Sequence, residues 1–322
     1  AFTILIPPFQ VSDEENHYLR VYQLSEGQIK GIVVYNAENT PVTNVLSPFI
    51  HEDAGIYAPR HIADMLHELF AVNMYMEKNV TWEQMKPYLT ERMESPEIFI
   101  SARNTVLYSP MAYIPQTIAA VICNALNLPP LWMLYVGRLL ALASFLFMVG
   151  MAIKLTPVYK WGIVLLSIMP TTMIVAASLS ADSMTISLSF LLIGYILSLA
   201  YRERKIAKKD ILIVALLSIG VSLCKSSYIF IPFLFAIIPI QLFRSKKHFF
   251  FSFFIIILCA VLPCLVWSLY SKSAYVPVVY EADINLQLKW VLQHPVEFIK
   301  VMLRCVSDPV FIAKRMAEFV GR

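Results

Sequence analysis

Charge is what this chain most lacks: Asp, Glu, Lys and Arg make up 15% of its 322 residues, against 58% hydrophobic residues and a mean hydropathy of +0.64. A soluble domain of this length would show amphipathic helices with a polar face. Here whole windows of about 20 residues carry no charge, enough to cross the hydrocarbon core of a bilayer. That excludes an ordinary water-soluble fold and makes the bilayer the solvent. Glycine is sparse as well, with nine residues and no Gly-rich phosphate loop; with no soluble nucleotide-binding domain beside it, a nucleotide-activated donor is not expected. The five cysteines, Cys123, Cys224, Cys259, Cys264 and Cys305, are scattered and lack the paired spacing of a disulfide framework or metal site, so they read as packing residues. At the N-terminus, residues 2–6 are too few for a signal-peptide core or a span, and Pro7-Pro8 stops any helix there.

What remains divides into four materials. Residues 1–6 read as the tail of a first transmembrane helix. Residues 7–130 form a long extracytoplasmic loop, rich in Glu, Asp, His, Asn and Pro up to about residue 107, with helical patches such as 62–76. Residues 131–270 are the membrane module, with apolar segments at 131–153, 161–177, 183–200, 211–223, 228–243 and 249–270. Residues 271–322 are an incomplete extracytoplasmic stretch, expected to belong to a longer protein. The fold class is all-α, a polytopic transmembrane helix bundle.

The formal net charge of +4 does not point to nucleic acid, because the basic residues fall in short runs between apolar segments and set topology instead. With Lys154 and Lys160, 202–209 and 244–247 all cytoplasmic, the segments pair as hairpins, 161–200 and 211–243, leaving the loop and the tail outside. Trp132, Trp161 and Trp267 lie at span ends, as interfacial anchors do. The apolar segment 108–128 breaks this parity. It is expected to lie along the outer surface or re-enter, and Pro110, Pro115 and Pro129 suit that role; an ordinary span is the alternative, since proline is tolerated in spans. The 211–243 hairpin is short for two full crossings, and puts Lys225 at its tip.

Chemistry concentrates around PPFQVSDEENHYLRVYQ, residues 7–23. Ser12 followed by Glu15 reads as a capping box that starts a helix at Asp13. On that helix Asp13 and His17 lie one turn apart with Arg20 near the same face, so a carboxylate, an imidazole and a guanidinium converge just outside the bilayer. A plainer account has Asp13 and Glu14 complementing the helix dipole. Asp182 ends the run AASLSAD at the tip of the 161–200 hairpin, level with Asp13. Ionisable groups at membrane depth are functional candidates by default, which adds Lys225 and Arg138, although Arg138 could instead snorkel to the interface. Two carboxylates and several cations beside lipid suit transfer from a lipid phosphate: the carboxylate takes a proton from an acceptor hydroxyl, and Lys and Arg stabilise the departing phosphate. His51, His61 and His67, near Glu52 and Asp53, match no ligand spacing and read as solvated loop residues rather than a metal site. Asp13 and Asp182 could share a divalent cation; no other cofactor is expected.

Residues 7–27, then YSPMAYIPQ (108–116), the Arg138-Leu139 pair, MPTTMIVAASLSADS (169–183) and LCKSSY (223–228) resemble, in that order, an uncharacterised family of bacterial polytopic membrane proteins related to the GT-C superfamily of lipid-linked-sugar glycosyltransferases. The resemblance implies a GT-C-like membrane module in the bacterial cytoplasmic membrane, with its active site on the outer face and a surface-lying helix in the first loop. It implies an acidic residue just after the first helix, matched by Asp13 with Glu14 beside it, and a second acidic position matched by Asp182. The expected activity is inverting transfer of a sugar from a polyprenyl-phosphate carrier to a cell-envelope glycan acceptor. Asp13 and Asp182 would be catalytic, and Glu14, His17, Arg20, Arg138, Lys225 and Tyr228 would bind substrate. Two rivals remain: a transporter or flippase of lipid-linked glycans, which broken helices would favour, and a non-catalytic assembly subunit.

Overall fold

A computed structural model describes residues 2–35, 52–71, 79–91, 95–277, 283–310 and 312–313 of the chain. It falls into two units, Ala1–Val276 and Pro277–Arg322.

The first unit opens with a short helix, α1 (Phe2–Leu5), and α2 (Glu14–Ser25). The loop region then builds a three-stranded antiparallel sheet in the order β1 (Ile32–Tyr35), β2 (Glu52–Pro59), β3 (Glu97–Ser101), a feature the sequence reading did not anticipate. Its register pairs Ile32 with Gly55 and Gly55 with Ser101. Gly55 is required there, because a Cβ would sit 2.0 Å from the Ile100 carbonyl oxygen. Between β2 and β3 lie α3 (Arg60–Ala71) and α4 (Trp82–Thr90). Ile62, Met65 and Leu69 of α3 are buried in one core with Ala54, Ile56 and Ala58 of β2. A capping box does form, but at Thr81 and Gln84 ahead of α4.

A 3₁₀ turn (Pro110–Tyr113) leads into α5 (Ile114–Ala125). With 12 residues, α5 is about 18 Å long, well short of the ~30 Å hydrocarbon core. The apolar segments follow as α6 (Pro130–Leu155), α7 (Lys160–Ser167), α8 (Pro170–Ala176), α9 (Ala181–Ala200), α10 (Lys208–Cys224), 3₁₀ segments (Ser226–Ile237 and Ile240–Leu242) and α11 (Lys246–Ser271). Among the described residues, three helices are long and apolar enough to cross a membrane: Pro130–Leu155, Ala181–Ala200 and Lys246–Ala274. These coincide with the segments expected at 131–153, 183–200 and 249–270.

The other expected spans take different forms. Segment 161–177 is two short helices of 8 and 7 residues rather than one. Pro170 has no N–H to continue a helix and holds Met169 extended (ψ 138°). Segment 228–243 is 3₁₀ with Pro232 inside it. Yet the chain still returns at both places. Leu179, just before α9, packs over Gly137 near the start of α6, while Ala152 and Thr156 at the end of α6 pack over Gly194 near the end of α9. The two helices therefore run parallel, and α7 with α8 carries the chain back along them in two short pieces. Likewise Ile206 N–H donates to the Leu242 carbonyl (2.9 Å), closing 206–242 as a hairpin with Lys225 at its tip.

The loop region sits over the end of the bundle where α6 and α9 begin. Tyr18 Oη donates to the Pro130 carbonyl (2.9 Å) and Trp267 Nε1 to the Leu107 carbonyl (2.9 Å). The basic runs gather at the opposite end, where Asp210 is buried and accepts from Arg202 (3.0 Å), Tyr195 (3.1 Å) and the Ala207 N–H (2.8 Å).

The second unit contains α12 (Ile284–Gln293), capped by the Asp283 carboxylate, and α13 (Pro295–Ser307).

Candidate functional site

The helix that carries the first carboxylates starts differently from the capping-box expectation. Asp13 precedes α2 in the left-handed region (φ 58°, ψ 15°), and neither Ser12 nor Asp13 caps it through a side chain. Glu15 reaches Asn16 Nδ2 (2.7 Å) instead of turning back to the helix start. What overrides the local pattern is Glu14.

Glu14 and Arg138 are both fully buried and joined by two bonds, Arg138 Nε to Oε1 (2.8 Å) and Nη2 to Oε2. Glu14 also accepts from the backbone N–H groups of Phe9 and Leu179 (both 3.2 Å). Arg138 spends its remaining donors on the carbonyls of Thr3 (3.3 Å), Ile6 (2.7 Å) and Pro7 (3.1 Å). One ion pair thus ties the end of α1, α2, α6 and the turn before α9. Its charges are paired and its hydrogen-bonding groups used, as burial demands. Arg138 does not snorkel, and neither residue is open to a ligand.

Arg20 is committed too. Fully buried, it donates to Gln23 Oε1 and to the carbonyls of Ile29 (3.0 Å) and Tyr108 (2.6 Å). Burial pulls its guanidinium down to about 10. It fixes the start of the Tyr108 segment rather than facing out.

The remaining candidates lie at the loop end of the bundle, with His17 buried and Asp13, Asp182, Lys225 and Tyr228 partly or fully exposed. His17 Nδ1 is 2.7 Å from Tyr113 Oη, and its ring meets those of Tyr108 and Tyr113 at 6.1 and 5.7 Å. Burial drives its pKa down to about 4, opposed by Asp13 and Asp182 and assisted by Lys225, so it is neutral at neutral pH. All three charges therefore act on one imidazole. Asp182, in the first turn of α9, accepts from Lys225 Nζ at 2.9 Å; the two side chains are 41% and 36% exposed. Tyr108 and Tyr228 lie within electrostatic reach of the same ammonium. Asp13 is exposed, and its carboxylate makes no cap bond. Among the described residues Asp13 shares a positive φ with Phe9, Asn127 and Tyr159, a region glycine adopts more easily than any of them.

Of the sequence candidates, the fold therefore groups Asp13, His17, Asp182, Lys225 and Tyr228, and it withdraws Glu14, Arg20 and Arg138 into buried structural bonds. It adds Tyr108 and Tyr113 of the YSPMAYIPQ motif, whose contacts with His17 no local spacing encodes. Gln116 of that motif is also buried, with Nε2 donating to the Ser180 carbonyl (3.4 Å).

Among the described residues no group of three or more His, Cys, Asp or Glu is placed to hold a metal ion. Asp182 already has the Lys225 ammonium as its partner. In the loop, Asp53 is buried and bonded to Ser101 Oγ (2.9 Å) and Arg103 Nε (2.8 Å), and His61 packs against the Tyr88 ring (5.1 Å). Both make structural contacts, so Asp53 is not a solvated loop residue. His51 lies outside the described residues.

Residues 1–320 match the family described as "Predicted membrane protein (DUF2142)". The chain belongs to that family. Membership agrees with the three apolar helices and establishes a membrane protein in contact with a lipid bilayer. No functionally curated protein and no solved structure matches the chain.

Proposed function

We propose that this DUF2142 protein is an inverting glycosyltransferase that moves a sugar from a polyprenyl-phosphate carrier to a cell-envelope glycan acceptor at the outer face of a bacterial cytoplasmic membrane. The observation that supports the reading is that an exposed carboxylate, Asp13, and the half-exposed Asp182–Lys225 pair all act electrostatically on the one His17 imidazole. In this reading an acceptor hydroxyl attacks the anomeric carbon, the bond to the phosphate oxygen breaks, and polyprenyl phosphate leaves. Asp13 takes the hydroxyl proton, Lys225 neutralises the departing phosphate, and Asp182 holds Lys225 until the substrate arrives. With Arg20 and Arg138 committed elsewhere, the phosphate falls to Lys225 alone, with Tyr108 and Tyr228 as neighbouring donors. A divalent cation is not required by this scheme. His17, neutral and bonded to Tyr113, positions the face against which the sugar would lie.

The test is release of polyprenyl phosphate by the purified protein in proteoliposomes given a polyprenyl-phosphate sugar and a glycan acceptor. Lys225→Met should lower the rate at least tenfold; an equal rate removes Lys225 from the phosphate site. A second reading, movement of lipid-linked glycan without bond formation, is favoured by the break between α7 and α8, since broken helices recur in transporters. Lipid-linked sugar crossing the bilayer unchanged, with no phosphate released, would select it.

A further inference from the structure

The composition of the second unit poses a physical problem of its own. In α13, Glu297, Lys300, Arg304 and Ser307 recur at helical spacing and form one narrow polar stripe. Val296, Ile299, Met302, Leu303 and Val306 occupy the rest of the surface and are 58, 56, 51, 62 and 68% exposed. No residue of α12 or α13 is buried, and α12 adds Leu286, Trp290 and Leu292 to the exposed apolar area. An apolar surface of this extent does not stay in water.

We infer that α12 and α13 form an interfacial anchor that lies in the membrane plane, with the apolar face of α13 sunk among the acyl chains. Three observations say that lipid is what covers it. The apolar helix Lys246–Ala274 ends ten residues before Ile284, a reach of at most about 35 Å, so a bilayer surface lies within reach of α12. The helices, with 10 and 13 residues, are about 15 and 20 Å long, too short to cross but suited to lying flat. A polar stripe opposite a broad apolar face, with Trp290 on the preceding helix, is the pattern of interfacial helices.

Charge decides what kind of surface. Across residues 283–310, Lys289, Lys300 and Arg304 are balanced by Asp283, Glu297 and Asp308. The anchor therefore holds by apolar burial and does not select anionic lipid, unlike a polybasic segment.

The experiment uses the full chain in proteoliposomes, with Cys305→Ser removing the exposed native thiol and single cysteines placed at Ile299, Leu303 or Lys300 and labelled with an environment-sensitive fluorophore. Labels at Ile299 and Leu303 should be quenched several-fold more by a lipid-borne quencher placed near the headgroup than by aqueous iodide. The label at Lys300 should show the reverse. Neither ratio should change between neutral and anionic vesicles or with salt. Iodide quenching at Ile299 equal to that at Lys300 would overturn the anchor by leaving the face in water. A blue-shifted Ile299 label reached by neither quencher would overturn it too, placing protein over the face, and crosslinking at that site would then show whether a second copy supplies it. Dependence on anionic lipid would contradict the apolar mode of binding. Ile299→Asp with Leu303→Asp offers a control: the pair should abolish lipid quenching of a label at Met302 without changing the yield of folded protein.

Discussion

Glu14 and Arg138 stand 124 positions apart in the chain and meet as a two-bond ion pair with no exposure on either side chain. Around them four segments converge through backbone contacts to Phe9, Leu179, Thr3, Ile6 and Pro7. This pair holds α2, which carries His17, against the bundle, where Asp13, Asp182 and Lys225 all act on that imidazole. Removing one partner leaves a buried charge alone, which costs about 3–5 kcal/mol. Glu14→Gln and Arg138→Met should each lower thermal stability in detergent by that order. Glu14→Leu combined with Arg138→Met should lose less than the sum of the single changes, because no orphan charge remains.

The half-exposed pair behaves in the opposite way. Asp182 and Lys225 are screened by solvent, and such pairs contribute under about 1 kcal/mol. Asp182→Asn should leave the melting temperature nearly unchanged while activity falls strongly. A matching loss of stability and activity would mark the pair as structural.

Two groups on α2 respond to pH in opposite directions. Burial raises the Glu15 carboxyl from 4.5 to about 7, and its Oε2 is buried with no hydrogen-bond partner, which suits the protonated form. Its contribution is full below pH 4.5 and lost as pH rises through 7. His17, lowered from 6.5 to about 4, contributes stability that is full above pH 6.5 and lost as pH falls through 4. Glu15→Gln removes only the first. The variant should match the parent near pH 4 and exceed it at pH 8 by on the order of 1 kcal/mol, a few degrees of melting temperature. Thermal scans across that range check the sign.

Asp13 sits in a backbone conformation that glycine adopts without strain, at φ 58°. Asp13→Gly should unfold at the same or a higher temperature than the parent while losing activity, the signature of strain kept for function. A clear drop in melting temperature would show that the side chain supports the fold.

The sequence made the long spans legible because a continuous apolar run has one meaning in a bilayer; α6, α9 and α11 lie where their runs predict. Interruptions were harder to see. Pro170 and Pro232 stand in apolar runs that pass for spans, and only the parallel packing of α6 with α9 shows that the first interrupted run still returns. The sheet escaped notice because β2, EDAGIYAP, is buried on both faces over most of its length and shows no alternation. At the site, the local pattern at Ser12 and Glu15 pointed to a cap that a distant arginine displaces. Tyr113 meets His17 across 96 positions, a contact no local spacing encodes. Asp182 and Lys225 stand out in the sequence because charge within an apolar run is rare, and the fold joins them as an ion pair.

Asp13→Asn in the full-length protein tests the central claim most directly. Asparagine keeps the size and tolerates the left-handed backbone, so the fold should hold while the proton acceptor is lost. Surface-glycan composition is read in cells together with the amount of protein in the membrane. The account predicts loss of one sugar at normal protein abundance. An unchanged glycan with normal abundance would contradict Asp13 as the base and would favour transport or assembly over glycosyl transfer.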